Sequence, residues 1–343
     1  MLAMKRNSRL PLIGLTMGDP AGIGPEVILR ALNRRDVRRA AHFILFGHEA
    51  VLRRVASAFR IPLPAWQKLD WHSPLLPTGP IILVETGRCP DSLALRGKPT
   101  AAGGVCCAEA IDWAVAYAQE GIVDAVVTAP ISKEALHLAR IPFPGHTEML
   151  ATLTGARRPV MMMAGAGIRA ALVTTHAAIE DLPRLITRAK VLATIRIVDA
   201  DLRKYFGLRA PRIAVCGLNP HAGEHGLFGR QDMTRIAPAV RQAQREGILC
   251  EGPIPADVAF TPAYRKRFDA MVAMYHDQAT IPVKMLAFDS GVNITLGLPI
   301  IRTSPDHGTA YDIVKKGIAD PGSMAAAILV AAQMAATRQR RAR

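Results

Sequence analysis

Arg212-Ile213-Ala214-Val215-Cys216-Gly217-Leu218-Asn219-Pro220-His221 is a short apolar run that stops at a Gly/Asn-Pro turn and delivers a histidine. Its length and punctuation are those of a buried strand. The same pattern occurs twice more: Ala171-Leu172-Val173-Thr174-Thr175 runs into His176, and Met271 to Tyr275 runs into His276. In open sheets of parallel strands, ligands bind beyond the carboxyl ends of the strands. Three strands that each end in an imidazole can therefore bring those imidazoles to one place.

Outward from these runs, strand patterns alternate with helical ones. Strands are expected at Leu12–Met17, His42–Phe46, Ile81–Glu85, Ala125–Thr128, Ala170–Thr174, Arg212–Gly217, Ala270–Met274 and Val292–Leu296. Helices are expected at Pro25–Asn33, Glu49–Phe59, Ala101–Gln119, Leu182–Phe206 and Arg235–Glu246. This alternation means an α/β chain with a mainly parallel sheet covered by helices. A chain of 343 residues, half of it apolar, suits two domains around a cleft. No repeat, low-complexity tract or flexible linker separates them, so the domains are expected to exchange chain segments.

Composition excludes several classes. No apolar run reaches the roughly 18 residues of a spanning helix; Met161–Val173 and Met324–Ala336 are the nearest. The basic start, Met1–Arg9, lacks the apolar region of a signal peptide. Five cysteines (Cys89, Cys106, Cys107, Cys216, Cys250), odd in number and without a CxxC, argue against a disulfide framework or a thiolate zinc site and fit a cytosolic, reduced protein. The net charge of +15 sits partly at the ends, in Lys5, Arg6, Arg9, Arg338, Arg340, Arg341 and Arg343. With aromatics at 5% there are no stacking platforms for nucleic acid, and steering of an anionic substrate is the better use of the field.

The residues offer three chemistries, each beside a plainer alternative. His176, His221 and His276 suit a first-row divalent ion with positions open for substrate; singly, each is equally a loop or core histidine. Asp277 and Asp257 could orient ligands or substrate. Gly145-His146-Thr147-Glu148 opens a helix with Thr147 as the expected N-cap, an anion site or a simple cap. Lys284 and Arg302 stand in apolar surroundings, where they either reach the surface or clamp a phosphate or carboxylate. In Gly18-Asp19-Pro20-Ala21-Gly22-Ile23-Gly24-Pro25-Glu26 the dinucleotide spacing fails at Val27. Asp306-His307-Gly308-Thr309-Ala310-Tyr311-Asp312 offers an imidazole for stacking on a base and an acid for ribose hydroxyls, or a surface turn.

Together these segments resemble the 4-hydroxythreonine-4-phosphate dehydrogenase family. The motifs are Gly18–Glu26, Gly145–Glu148, Asn219-Pro220-His221-Ala222-Gly223-Glu224, Tyr275-His276-Asp277-Gln278 and Val292–Pro299 continuing to Arg302-Thr303-Ser304, along a stretch from about Pro11 to about Ala336. The resemblance implies an isocitrate/isopropylmalate-dehydrogenase-like fold of two α/β/α domains with an active-site cleft. One domain would comprise residues 1–130 plus 285–343 and the other residues 131–284. It implies a homodimer with a shared active site, and His176, His221 and His276 as ligands of zinc, magnesium, manganese or cobalt. His146, Thr147, Lys284, Asn293 and Arg302 would hold the substrate, and His307, Gly308 and Asp312 would line the NAD site. The implied chemistry is oxidation of a secondary alcohol, the metal acting as Lewis acid and NAD accepting hydride, with loss of carbon dioxide from a β-keto acid. Lys133, after a strand in Thr128-Ala129-Pro130-Ile131-Ser132-Lys133, resembles the lysine that accepts a proton in isocitrate-type relatives; Asp257 and Asp277 are the other catalytic candidates.

Ala279–Ser290 departs from the biosynthetic pattern, where a glycine follows the glutamine and an aromatic the lysine; His225 and Arg230 depart as well. These features are similar to catabolic members acting on 4-phospho-threonate or 4-phospho-erythronate, or on a terephthalate cis-dihydrodiol. Outside dehydrogenases, an anion-binding protein on the same scaffold or a phosphate acyltransferase shares the architecture. The first would keep its ligand affinity without His276, and the second would need no metal.

Overall fold

The computed structural model describes residues 10–69 and 79–341. The basic residues Lys5, Arg6, Arg9 and Arg343 lie outside that range. Strands form where β-branched and aliphatic runs are bounded by turn residues: β1 (Leu12–Thr16), β2 (His42–Gly47), β3 (Gln67–Lys68), β4 (Ile81–Glu85), β5 (Ala125–Thr128), β6 (Val160–Gly165), β7 (Ile168–Leu172), β8 (Ile213–Cys216), β9 (Cys250–Ile254), β10 (Ala270–Ala273), β11 (Val292–Leu296) and β12 (Arg302–Pro305).

The chain divides into two compact units. Unit 1 runs up to Arg158 and resumes at Leu298; unit 2 is Pro159–Gly297. Lys133 and His146 therefore belong to unit 1, and Lys284 and Asn293 to unit 2. In unit 1 the strand order is β3-β4-β2-β1-β5-β12, all parallel. In unit 2 it is β11-β6-β7-β10-β8-β9, with β6 antiparallel to both of its neighbours and the other pairs parallel.

Each unit has its own apolar core. Phe46, Ile111, Val126 and Leu150 are among the buried residues of the first. Met163, Leu172, Ala214, Met271 and Val283 are among those of the second. The helix Ala101–Gln119 is capped by the Thr100 hydroxyl, which accepts from Gly103 N at 3.0 Å. It packs so closely on the helix Lys133–Leu138 that a Cβ on Gly104 would lie 2.1 Å from the Ala135 carbonyl oxygen.

The parallel α/β class holds, and several local expectations change. Met161–Val173 is a hairpin rather than one apolar run: Ala166 and Gly167 both take positive φ and join β6 to β7, with Gly165 opposite Ile168. A two-residue turn of this hand matches strand twist, and it moves the strand expected at Ala170–Thr174 to Ile168–Leu172. The helix expected at Leu182–Phe206 breaks at Ile186, whose backbone is extended, and restarts at Arg188 with Thr187 accepting from Lys190 N at 3.2 Å. Among the described residues no helix is long and apolar enough to cross a membrane.

Candidate functional site

In unit 2, β7, β10 and β8 are consecutive parallel strands, so the residues that follow each leave at the same edge of the sheet. His176 follows β7, whose line continues as Val173 N donates to Ala273 O at 2.9 Å and Thr174 N to Met274 O at 3.2 Å. His276 starts the helix His276–Ala287 directly after β10. The His176 and His276 rings lie 5.6 Å apart, centroid to centroid. His276 Nδ1 is 2.6 Å from Asp277 Oδ1, the contact that fixes which ring nitrogen is left for a metal. The side chain of Gln278, buried beneath, ties two of the strand ends together. Its Oε1 accepts from Met274 N at 2.6 Å and its Nε2 donates to Gly217 O at 2.8 Å.

His221 follows β8 on a strained segment. His221, Ala222, Glu224 and His225 all have φ between 37° and 54°, with Gly223 at 81° between them. Left-handed backbone costs non-glycine residues roughly 1–2 kcal/mol each, so the surroundings must hold it. Asp232, fully buried, does so: it accepts from Leu218 N at 2.7 Å, Asn219 N at 3.2 Å and Asn219 Nδ2 at 2.7 Å. Replacing Asp232→Ala removes these bonds and leaves buried donors unpaired, and is expected to lower stability by about 3 kcal/mol. Thermal unfolding with metal titration checks it; an unchanged melting temperature and metal affinity would show the segment holds itself.

The three imidazoles do not form, within one chain, a set whose ligand nitrogens are all within 4.8 Å of one another. Asp257 is exposed at the start of a short helix after β9, with no position beside these rings given by its contacts. Lys284 is exposed on the helix that His276 begins. Asn293, on β11, has its Oδ1 enclosed without a hydrogen-bond partner.

In unit 1, Arg302 opens β12 and is 1% exposed; its Nε and Nη2 both donate to the hydroxyl of Thr128, at the end of β5, at 3.2 and 2.6 Å. Burial pushes the guanidinium down to about 9. His146 starts the helix His146–Thr154. Gly145, not Thr147, is its N-cap, because the Gly145 backbone is extended while His146 is already in the first turn; Thr147 thus sits inside the helix. The His146 Nε2 is enclosed without a partner, and burial, with the Arg302 charge second, holds the imidazole well below its usual range and so neutral. Lys133 is exposed at the head of its helix, whose cap is Ser132.

The two glycine-bearing loops meet: Ile23 N donates to Thr309 O at 3.0 Å, and Tyr311 Oη donates to Asp19 Oδ2 at 2.5 Å. Burial raises Asp19 against the lowering effect of that bond. Gly18 has φ +73°, and a Cβ there would lie 2.5 Å from Pro130 O, so only glycine fits. His307 Nδ1 is 3.1 Å from Gly308 O and its Nε2 is enclosed without a partner, while Gly308 and Asp312 are exposed. Sequence reasoning missed Gln278, Asp232, Thr128 and Tyr311. Gln278, Tyr311 and Thr128 lay inside segments singled out for other residues; Asp232 carried no signal.

Residues 39–331 match the sequence profile of the pyridoxal phosphate biosynthetic protein PdxA. The chain is 49% identical over 328 residues to a 4-hydroxythreonine-4-phosphate dehydrogenase of Geobacter metallireducens, covering 95% of this chain and 96% of that one. It is 44% identical over 333 residues to a D-threonate 4-phosphate dehydrogenase of Cupriavidus necator, covering 96% and 98%. The crystal structure of a 4-hydroxythreonine-4-phosphate dehydrogenase from Klebsiella pneumoniae superposes with a TM-score of 0.86 at 40% identity, covering 96% of this chain and 99% of that one. With a profile match over most of its length and near-complete relatives at this identity, the chain belongs to the family of the pyridoxal phosphate biosynthetic protein PdxA.

Proposed function

We propose that this dehydrogenase oxidises the secondary alcohol of a small phosphorylated hydroxy acid, 4-hydroxythreonine-4-phosphate or D-threonate 4-phosphate, using NAD and a divalent metal. The observation that carries the reading is the delivery of His176, His276 and His221 from three consecutive parallel strands. Imidazole donors fit a first-row divalent ion, and the Asp277 contact leaves His276 one nitrogen to offer. His176, His221 and His276 would hold zinc, magnesium, manganese or cobalt, which would supply Lewis acidity to the alcohol, with NAD as the hydride acceptor.

We assign substrate contacts to His146, Thr147, Lys284, Asn293 and Arg302. Arg302 presents a fixed, desolvated guanidinium suited to a phosphate. Neutral His146 can donate or accept without adding charge beside it. The unpartnered Asn293 Oδ1 fits a hydroxyl of a ligand. His307, Gly308 and Asp312 are assigned to NAD: the enclosed His307 Nε2 fits a polar group of the dinucleotide, and the Asp312 carboxylate fits ribose hydroxyls. Lys133, exposed at the head of its helix, is the candidate proton acceptor, with Asp257 and Asp277 as the other candidates. Loss of carbon dioxide follows if the product is a β-keto acid.

The test is NADH formation and carbon dioxide release after chelation and metal add-back, with 4-hydroxythreonine-4-phosphate, D-threonate 4-phosphate, 4-phospho-erythronate and the terephthalate cis-dihydrodiol in parallel. Metal-dependent turnover of a phosphorylated substrate supports the reading. Turnover unaffected by chelation, or none with any substrate, counts against it.

A homodimer with a shared active site is part of the proposal. Ile281, Met285, Leu286 and Phe288 are 55%, 80%, 50% and 78% exposed along and just after the helix that starts at His276. Contiguous apolar exposure of this kind marks an interface, and the imidazole set that does not close in one chain would be completed by a second copy. Met285→Asp with Phe288→Asp is expected to give a monomer by light scattering, with activity falling at least tenfold or so as the shared site is lost. A fully active monomer would remove the shared site.

A further inference from the structure

Cys89, Cys106 and His48 come from three elements of unit 1 and have no part in the assignments above. His48 lies between β2 and the helix Glu49–Phe59, Cys89 in the loop after β4, and Cys106 in the second turn of Ala101–Gln119. Their imidazole nitrogen and two sulfurs all lie within 4.8 Å of one another. His48 is 6% exposed. One of its ring nitrogens is held by the Thr86 backbone, while Nε2 is enclosed and has no partner. Both thiols are free: the Cys106 thiol donates to Arg88 O at 3.7 Å, and the Cys89 thiol is hydrogen-bonded to Cys106.

We propose that His48, Cys89 and Cys106 form a zinc(II) site, separate from the three histidines of unit 2. A disulfide between the cysteines would use both sulfurs and leave the desolvated His48 Nε2 unexplained, whereas a metal satisfies all three atoms. Tetrahedral zinc holds sulfur at about 2.3 Å and nitrogen at about 2.0–2.1 Å, which sets donors roughly 3.5–3.8 Å apart; a small contraction of the existing cluster reaches this. The Asp19 carboxylate acts on Cys89 and the Glu85 carboxylate on His48, a field that favours a cation. Binding exchanges two thiol protons for one Zn²⁺: both S–H bonds break, two Zn–S bonds and one Zn–N bond form, and two protons go to solvent. The product, with two thiolates and one dication, is neutral, which suits burial; copper(I) would leave a net negative charge there. Cys89 is half-buried and gives a route in. Zinc would clip the loop after β4 to the long helix, fixing residues that reach the first glycine loop through the Gly97 N to Ala21 O bond of 3.0 Å. Because two protons leave, affinity is expected to rise with pH.

The experiment uses the full chain, reduced and stripped of metal, and cobalt(II) as the spectroscopic probe of zinc. Thiolate-to-cobalt charge transfer arises only from cysteine ligation, so the histidine site is silent in it. The expected result is a near-ultraviolet charge-transfer band that saturates by two equivalents in the parent protein and at one equivalent in His221→Ala, is bleached by zinc, and disappears in Cys89→Ser and Cys106→Ser. If a serine variant does not fold, zinc X-ray absorption on His221→Ala protein loaded with one equivalent decides: sulfur scatterers at about 2.3 Å are expected. No band in the parent protein, a band unchanged in both serine variants, or nitrogen and oxygen scatterers alone would overturn the site. Copper(I) uptake at these cysteines without zinc uptake would overturn the zinc assignment.

Discussion

Replacing His221→Ala is expected to abolish turnover and release the divalent metal while leaving the fold intact. The partners that merely orient a ligand are worth about 10–100-fold in metal affinity or activity, so loss of an assigned ligand is expected to cost at least about a hundredfold in kcat/KM. The fold survives because the strained run from His221 to His225 is held by Asp232 through Leu218 and Asn219, not by the imidazole. Alanine at this position also keeps the same left-handed conformation that Ala222 already adopts at φ 52°. Metal content after dialysis, NADH formation and circular dichroism on one preparation check the three parts. An active variant with metal bound would remove His221 from the ligand set; loss of fold would make the residue structural.

The second large effect is expected at Arg302. Charge-assisted bonds to a phosphate are worth about 1.5–3 kcal/mol each, so Arg302→Met should raise KM about a hundredfold or more. Stability should move little or upward. A guanidinium that burial brings down to about 9 is desolvated at a cost to the folded state, and methionine fills similar volume without the charge. Arg302→Lys should recover part of the KM, as a point charge without the bidentate fork. Steady-state kinetics with the phosphorylated substrate and thermal unfolding on the same variants separate the two effects. A destabilised Met variant with unchanged KM would make Arg302 a structural residue bonded to Thr128.

The fold class was legible because most strands here are buried in parallel sheets and appear as short apolar runs between turns; β4, β5 and β11 have the very limits expected. The strands not anticipated lack that contrast. Gln67–Lys68 is polar, Cys250–Ile254 carries Glu, Gly and Pro, and Arg302–Pro305 begins with a charge. The β6–β7 hairpin was hidden because its Ala-Gly turn is as apolar as its strands. The histidines were visible for a simple reason: a polar residue directly after an apolar strand is cheap to see. What positions them was not visible, since Asp232 and Gln278 act on backbone groups distant in sequence or inside a turn. Whether the three rings meet cannot be read from one chain's sequence when the set is not closed within that chain. The gathering of His48, Cys89 and Cys106 was not legible either, because the three come from separate elements and their spacing along the chain carries no information.

Because unit 1 is interrupted by unit 2, it cannot be completed on the ribosome before unit 2 has been made. Domains generally fold as they emerge, the N-terminal one first. Here unit 2 is one continuous stretch, Pro159–Gly297, while unit 1 lacks β12 and the helix Gly322–Arg341 until the residues after unit 2 have been made. Until then β5 has a free edge where β12 will pair, and the surface to be covered by Met324, Ile328 and Ala331 stays open. The nascent chain therefore spends the time needed to make its last segment with a finished second half and an unfinished first half, an exposed edge of the kind that recruits chaperones or mispairs. Arg302 arrives with that last segment, so a chain that stalls before it lacks both β12 and the guanidinium buried against Thr128.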